Sequence, residues 1–537
     1  INDDSSAGTV ITADVLTATA AGAMTFDTSV NSVDLTTSAA GDIDVDETNA
    51  VTLTNITAAD GSITVDAGGA IGVTSVISST DADTNDISLT TTSGDITVAT
   101  ITSGNAGDVG LSSAAAINDD GSTGTVITAD VLTATAVGGM TLDTTVNSVD
   151  LTTSAAGDID LDETDAVTLT NITAADGSIT VDAGGAITAT SVVSSTDTDA
   201  NDISLTTAAG NITVNTITAG NTGDVNLTSA AAINDDGSTG TVITADVLTA
   251  TAVGAMTLDT TANGIDLTTS AAGGIDVDET NAVTLTNITA ANGSMTVDAG
   301  GAITVTSVVS TTDSDANDIS ITTTSGDITI NTVTAGSVAD VNLSSAAAIN
   351  EDGSPGTVIT ADILTATAVG AITLDTTANS VDLTTSATGN IDVDETNAVT
   401  LTNITAADGS ITVDAGGAIT VTSVVSSTDA DANDISLTTT SGDITVNTIT
   451  AGSVGDVNLT SAAAINNDGS AGTVITADVL TATAAGAMTL DTTVNSIDLT
   501  TSAAGNIDVD ETNAVTLTNI TAADGSITVD AGGAITV

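Results

Sequence analysis

Carboxylates are the only ionisable side chains in this sequence: 70 Asp and Glu, with no Lys, Arg, His, Cys or Tyr. Two of their patterns could do chemistry. In STDADTND (79–86), Asp81, Asp83 and Asn85 alternate and Asp86 follows. Copies are Asp197/Asp199/Asn201/Asp202, Asp313/Asp315/Asn317/Asp318 and Asp429/Asp431/Asn433/Asp434. Hard oxygens at alternate positions suit Ca²⁺, the one cofactor the sequence suggests. The Gly and Glu of an EF-hand loop are missing, however, and the plainer reading is a solvated acidic turn. The second pattern is GDIDVDETNA (41–50), which returns at 157–166, 273–282, 389–398 and 505–514.

Within that second pattern, Asp46 follows an apolar pair, as Asp27 and Asp66 do in flanking segments. The spacing predicts that Asp27, Asp46 and Asp66 stack on successive layers. The same is expected of Asp143/Asp162/Asp182, Asp259/Asp278/Asp298, Asp375/Asp394/Asp414 and Asp491/Asp510/Asp530. Two such charges ~4.8 Å apart repel by about 0.9 kcal/mol in bulk water and ~3.5 kcal/mol at an effective dielectric near 20. With no base in the chain, cations from solution are expected along the ladder, divalent ones above all.

Composition closes several other routes. General acid–base and nucleophilic catalysis lose His, Cys and Lys, and no Arg can stabilise an anionic transition state. Paired Asp residues do serve some β-helical enzymes that act on polysaccharides. A catalytic site is usually a single irregularity on its scaffold, whereas every acidic cluster here recurs, so no enzymatic activity is expected. A chain of charge −70 is repelled by nucleic acid and by anionic membrane surfaces. No apolar run reaches the ~20 residues of a membrane helix, so no membrane insertion is expected. Asn-Ile-Thr at Asn55, Asn171, Asn287, Asn403 and Asn519 matches the N-glycosylation pattern, but Asn at turns, tying neighbouring layers by amide bonds, is the expected role.

The elements that position these groups follow from a strict repeat. TADVLTATA, or TADILTATA, places its Asp at 14, 130, 246, 362 and 478, always 116 residues apart. The copies are 1–116, 117–232, 233–348, 349–464 and the partial 465–537, read as one continuous solenoid within a longer array. Inside one copy, apolar pairs alternate with polar residues: Met24/Phe26, Val33/Leu35, Ile43/Val45, Val51/Leu53, Ile63/Val65, Ile71/Val73, Ile87/Leu89 and Ile96/Val98. Alternation of this kind is the signature of strands with one buried face. Grouping two pairs per unit gives coils at 23–41, 42–61, 62–85, 86–107 and 108–138. The fold expected is therefore an all-β, right-handed parallel β-helix, with coils of about 20 residues and five coils per copy. The longest unit is expected to carry a loop at 113–124, and the only proline, Pro355, falls in a later copy of that loop. Tandem immunoglobulin-like sandwiches are the alternative; they show about seven strands and a buried aromatic, and this chain has a single Phe.

Runs such as GSITVDAGGAITVTSV (410–425) and AGNIDVDETNAVTLTNITAADG (504–525) resemble the repeat regions of large bacterial exoproteins, the filamentous-haemagglutinin-like and autotransporter-like adhesins. The resemblance implies an extracellular or cell-surface β-helical shaft. Three functions follow from these readings. The first is a structural shaft that self-associates into fibres or bundles with cations between neighbours. The second is a calcium-dependent adhesin extender. The third is an ice- or surface-binding face built on outward Thr-x-Thr pairs such as Thr52/Thr54.

Overall fold

A computed structural model describes residues 1–3, 11–124, 126–237, 240, 242–353, 356, 358–469, 472 and 474–537. Pro355 lies outside them. The chain forms two compact units, Ile1–Leu267 and Thr268–Val537. Each is a stack of parallel β coils, so the β-solenoid expected from the alternating pairs is the fold observed. No helix occurs among the described residues, hence none long and apolar enough to cross a membrane.

The cornered coils have a five-residue strand such as Ile63–Ala67, followed by two shorter segments, Ile71–Val73 and Val76–Ser78, that meet at a corner, whereas Ile43–Glu47 is followed by the eight-residue strand Val51–Ala58. In Ile43–Glu47 the residues Ile43, Val45 and Glu47 point inward and Asp44 and Asp46 point away. Val and Ile suit this pleated, half-buried geometry, and like side chains stack on like. In the first unit one core column runs Ile43, Ile63, Ile87, Val109, Leu132, Val149. A second runs Val45, Val65, Leu89, Leu111, Ala134, Leu151. Small residues let the coils close at the corners: a Cβ on Gly68 would lie 2.0 Å from the carbonyl oxygen of Thr48 in the coil below.

The coil count differs from the one expected. Five register steps carry the first column from Ile43 to Val149, and half a coil more reaches Ile159, the equivalent of Ile43 in the next copy. One copy therefore makes five and a half coils, at about 21 residues each. The unit 108–138 is not a single coil with a large excursion. It contains the ten-residue strand Ile127–Ala136, which pairs below with Val109–Ser113 and above with Met140–Thr153. Its inward positions are Ile127, Ala129, Leu132, Ala134 and Ala136, mostly too small to read as apolar pairs in the sequence. The loop is correspondingly shorter than 113–124. Ser113 and Ile117 are buried in strands, and only 120–124 is exposed before residue 125.

The extra half coil turns the pattern over. The columns of Ile43 and Val45, on a flat strand in the first copy, arrive at Leu169 and Ile172 in the second, on either side of a bulge. Conversely, the columns of Val51 and Ile56, which flank a corner, arrive at Ile159 and Glu163 on one flat strand. Within the first unit, flat strands of successive copies thus lie on opposite sides of the stack. The second unit repeats this: the column of Ile391 runs through Ile411, Ile435, Val457 and Leu480 to Ile497 and then Leu517.

Candidate cation-binding surface

The flat strands bring the ladder carboxylates together. Asp27 is the register partner of Asp46, and Asp46 of Asp66. The same holds for Asp143/Asp162/Asp182, Asp375/Asp394/Asp414 and Asp491/Asp510/Asp530, and for Asp278 with Asp298. Four of the ladders stop where Thr follows: Thr90 above Asp66, Thr206 above Asp182, Thr322 above Asp298 and Thr438 above Asp414. An open groove of about 390 Å³ runs beside Asp27, Asp46 and Asp66, and one of about 450 Å³ beside Asp143, Asp162 and Asp182. Burial raises the carboxyl of Asp162, and the charges of Asp182 and Asp119 raise it further. Asp44, one position outside the ladder, is raised by burial first and then by Asp46, Asp66 and Asp27.

The alternating acidic turn is arranged differently. Asp81 Oδ1 accepts the backbone N–H of Ala106 at 2.7 Å, and Asp86 Oδ1 that of Asp108 at 3.0 Å. Asn85 is buried, 3% exposed, and its amide donates to Asp60 and to the Thr80 carbonyl, both at 3.0 Å. Asp83 is exposed. The copies keep this plan. Asp197, Asp313 and Asp429 are held below the ordinary carboxylate range first by the hydroxyls of Thr222, Ser337 and Ser453. Asp202, Asp318 and Asp434 accept N–H groups from Asp224, Asp340 and Asp456. Asn201, Asn317 and Asn433 are buried, while Asp199, Asp315 and Asp431 are exposed. The four groups of each turn therefore face different partners, most of them in neighbouring coils. Among the described residues, no three carboxylates form a group able to hold a metal ion.

One arrangement was not foreseen from the sequence, and a second, an Asn whose amide ties neighbouring coils, was foreseen at a different place. Glu47 points into the core and is 4% exposed; its Oε2 accepts the Thr28 hydroxyl at 2.8 Å and the Val30 N–H at 2.9 Å. Its Oε1 accepts the N–H of Asn49 at 3.0 Å. Glu163, Glu395 and Glu511 repeat the set. Burial raises Glu395, although its hydrogen-bond donors, the N–H groups of Asn397, Ala378 and Thr396 and the Thr376 hydroxyl, pull the other way. Asn55, in turn, sits not at a turn but at a bulge within the strand Val51–Ala58. Its amide donates to Asp34 at 3.1 Å, and its Oδ1 accepts the Thr57 hydroxyl at 3.0 Å. The signal for a buried acid lay in the strand pattern: Glu47 is two residues beyond Val45 and so shares its face.

Comparisons with models of known protein families, with curated proteins and with solved structures find no match to this chain.

Proposed function

We propose that the chain is a structural shaft: a repeat segment of an extracellular bacterial fibre, sheath or adhesin stalk whose acidic surface gathers cations. The observation that carries this reading is the uniformity of the coils. Core columns, corners and the Asp ladders recur with the repeat, and among the described residues no copy holds a unique constellation of the kind a catalytic or ligand site requires. A stack joined by backbone ladders is suited to supplying length and stiffness. The solenoid fold and the resemblance of its repeats to exoprotein repeats point the same way.

Cations enter this reading as a diffuse coat. Stacked carboxylates open to solvent attract counterions, while in each acidic turn the first and last Asp each give an oxygen to a backbone N–H of a neighbouring coil. Thermal unfolding followed by circular dichroism, with Ca²⁺ and then with chelator at matched ionic strength, tests this. A midpoint that tracks total ionic strength is the expected result. A steep fall with chelator alone would overturn the diffuse coat and favour a calcium-dependent extender. Electron micrographs showing beads rather than rods would count against the shaft.

A further inference from the structure

We infer that the inward glutamate of each copy fixes the coil at which the corner pattern turns through half a revolution. In the long strand Met24–Thr37, residues Met24–Thr28 pair upward with Ile43–Glu47, and Ser32–Thr36 pair upward with residues of Val51–Ala58. Between these two runs the coil above turns its corner at 48–50 while the coil below continues straight. The Val30 N–H therefore has no strand above it to bond. A buried N–H without an acceptor is costly, and the Glu47 carboxylate supplies the acceptor at 2.9 Å.

The same carboxylate stitches the new corner to the old strand. Its other oxygen takes the Asn49 N–H of the corner itself, and the Thr28 hydroxyl joins from the coil below. All three partners donate and none accepts, which suits an ionised carboxylate, an acceptor at both oxygens. The mismatch between a straight coil and a cornered one recurs wherever the half-turn occurs. In the next copy, Glu163 accepts the Val146 N–H at 3.0 Å, above the long strand Met140–Thr153. In the second unit, Glu395 accepts the Ala378 N–H at 2.9 Å and Glu511 the Val494 N–H at 3.0 Å. Glu279 keeps the corner bond, to the Asn281 N–H at 2.9 Å. Coils higher in each copy carry Ala, Thr or Ser at this position, Ala67, Thr91 and Ser113 in the first, where cornered coils stack on cornered coils. At this register position glutamate appears where the corner moves; the one other glutamate, Glu351, ends the short strand Ile349–Glu351 as the partner of Ile330.

The consequence concerns the surface. Because the half-turn comes once per copy, the Asp ladders of successive copies in the first unit face opposite sides of the stack. Losing the half-turn would bring Asp27 and Asp143 to one side.

The test uses the full chain with Glu47→Ala and Glu163→Ala together, and separately with both positions changed to Gln. Hydrogen exchange read on peptic fragments covering 24–37 and 140–153 should be at least ~10-fold faster at the Val30 and Val146 amides, the ratio for ~1.4 kcal/mol of lost protection. Spin labels at Asp27→Cys and Asp143→Cys should give a single long distance in the parent chain. The Ala variant should add a shorter one, from molecules with both labels on one side. Unchanged exchange would overturn the inference. So would faster exchange with an unaltered distance distribution, because the glutamate would then cap the corner without setting its position. If the Ala variant does not fold, the Gln variant decides: it keeps one acceptor but sets an amide NH₂ against a backbone N–H. It should show both changes to a smaller degree, and a Gln variant matching the parent in both readouts overturns the inference.

Discussion

Replacing the middle aspartate of a ladder by asparagine should stabilise the protein. Asp46, Asp162, Asp394 and Asp510 each have an Asp register partner in the coil below and another in the coil above. All four are exposed, so a bulk dielectric applies. Each neighbour at ~4.8 Å then repels by about 0.9 kcal/mol at low salt. Removing the middle charge relieves two such repulsions, about 1.7 kcal/mol per ladder. The four changes together give about 7 kcal/mol. A chain of 537 residues carries an unfolding entropy of roughly 1.1 kcal/mol/K, so the four-site Asn variant should melt about 6 °C higher at low salt. At 0.15 M salt the Debye length of ~8 Å cuts each repulsion to about half, and the gain should fall to about 3 °C. The assay is thermal unfolding by circular dichroism across a salt series, parent beside variant. A variant that melts at or below the parent temperature at low salt would refute the reasoning, because the ladder charges would then be bound or neutralised rather than repelling. Asn is close in size to Asp, so packing should not obscure the result.

Two further outcomes follow from the same geometry. Burial, then neighbouring charge, raises Asp44, Asp160 and Asp392 in the folded chain. A raised folded value means the native state holds its proton more tightly, so stability grows as pH falls from neutral toward the ordinary carboxylate range near 4 and is lost as pH rises through the folded value. A melting temperature that drops between pH 7 and pH 4.5, at constant ionic strength, would contradict this. Asn85→Ala should cost about 1–3 kcal/mol in denaturant unfolding, since Asp60 and the Thr80 carbonyl lose their shared donor. Asp83→Ala, at an exposed site, should stay within about 0.5 kcal/mol; equal losses at the two positions would argue that the turn acts as one ion-binding unit.

Much of this fold could be read from the spacing of apolar pairs. Ile43/Val45 and Ile63/Val65 are inward pairs on adjacent coils, and the ladder of Asp27, Asp46 and Asp66 follows from that register alone. Alternation reports which face a residue occupies, and identical coils leave only one sensible stacking. The half-turn was not legible because it depends on where corners fall, and the strand that moves them, Ile127–Ala136, buries mainly alanine. Alanine is too small to register as a core signal by pattern. The alternating pattern of the acidic turn does not by itself show where its groups point. Alternate carboxylates look like a ligand set along the chain, but in a solenoid the nearest partners of a corner residue are about 20 positions away, in the next coil. Asp81 meets Ala106 and Asn85 meets Asp60.

That geometry also explains how a chain without bases keeps so many acids. A corner breaks the backbone ladder and leaves N–H groups without carbonyl partners, and a carboxylate is a strong acceptor for them. In the first copy Asp42 accepts the Ser62 N–H, Asp95 that of Ala116 and Asp108 that of Val131, beside Asp81 and Asp86. Glu47 does the same inside the core. Asp14, Asp34 and Asp60 take amide donors from Asn31, Asn55 and Asn85. Lys or Arg at these corners would offer only further donors, where acceptors are what is lacking. The acids thus fall into two populations that differ in their partners. The corner carboxylates accept N–H groups from neighbouring coils, whereas ladder residues such as Asp46 and Asp66 meet like charges above or below. Salt should therefore act on the second population while leaving the first in place, and the four-site Asn variant separates them.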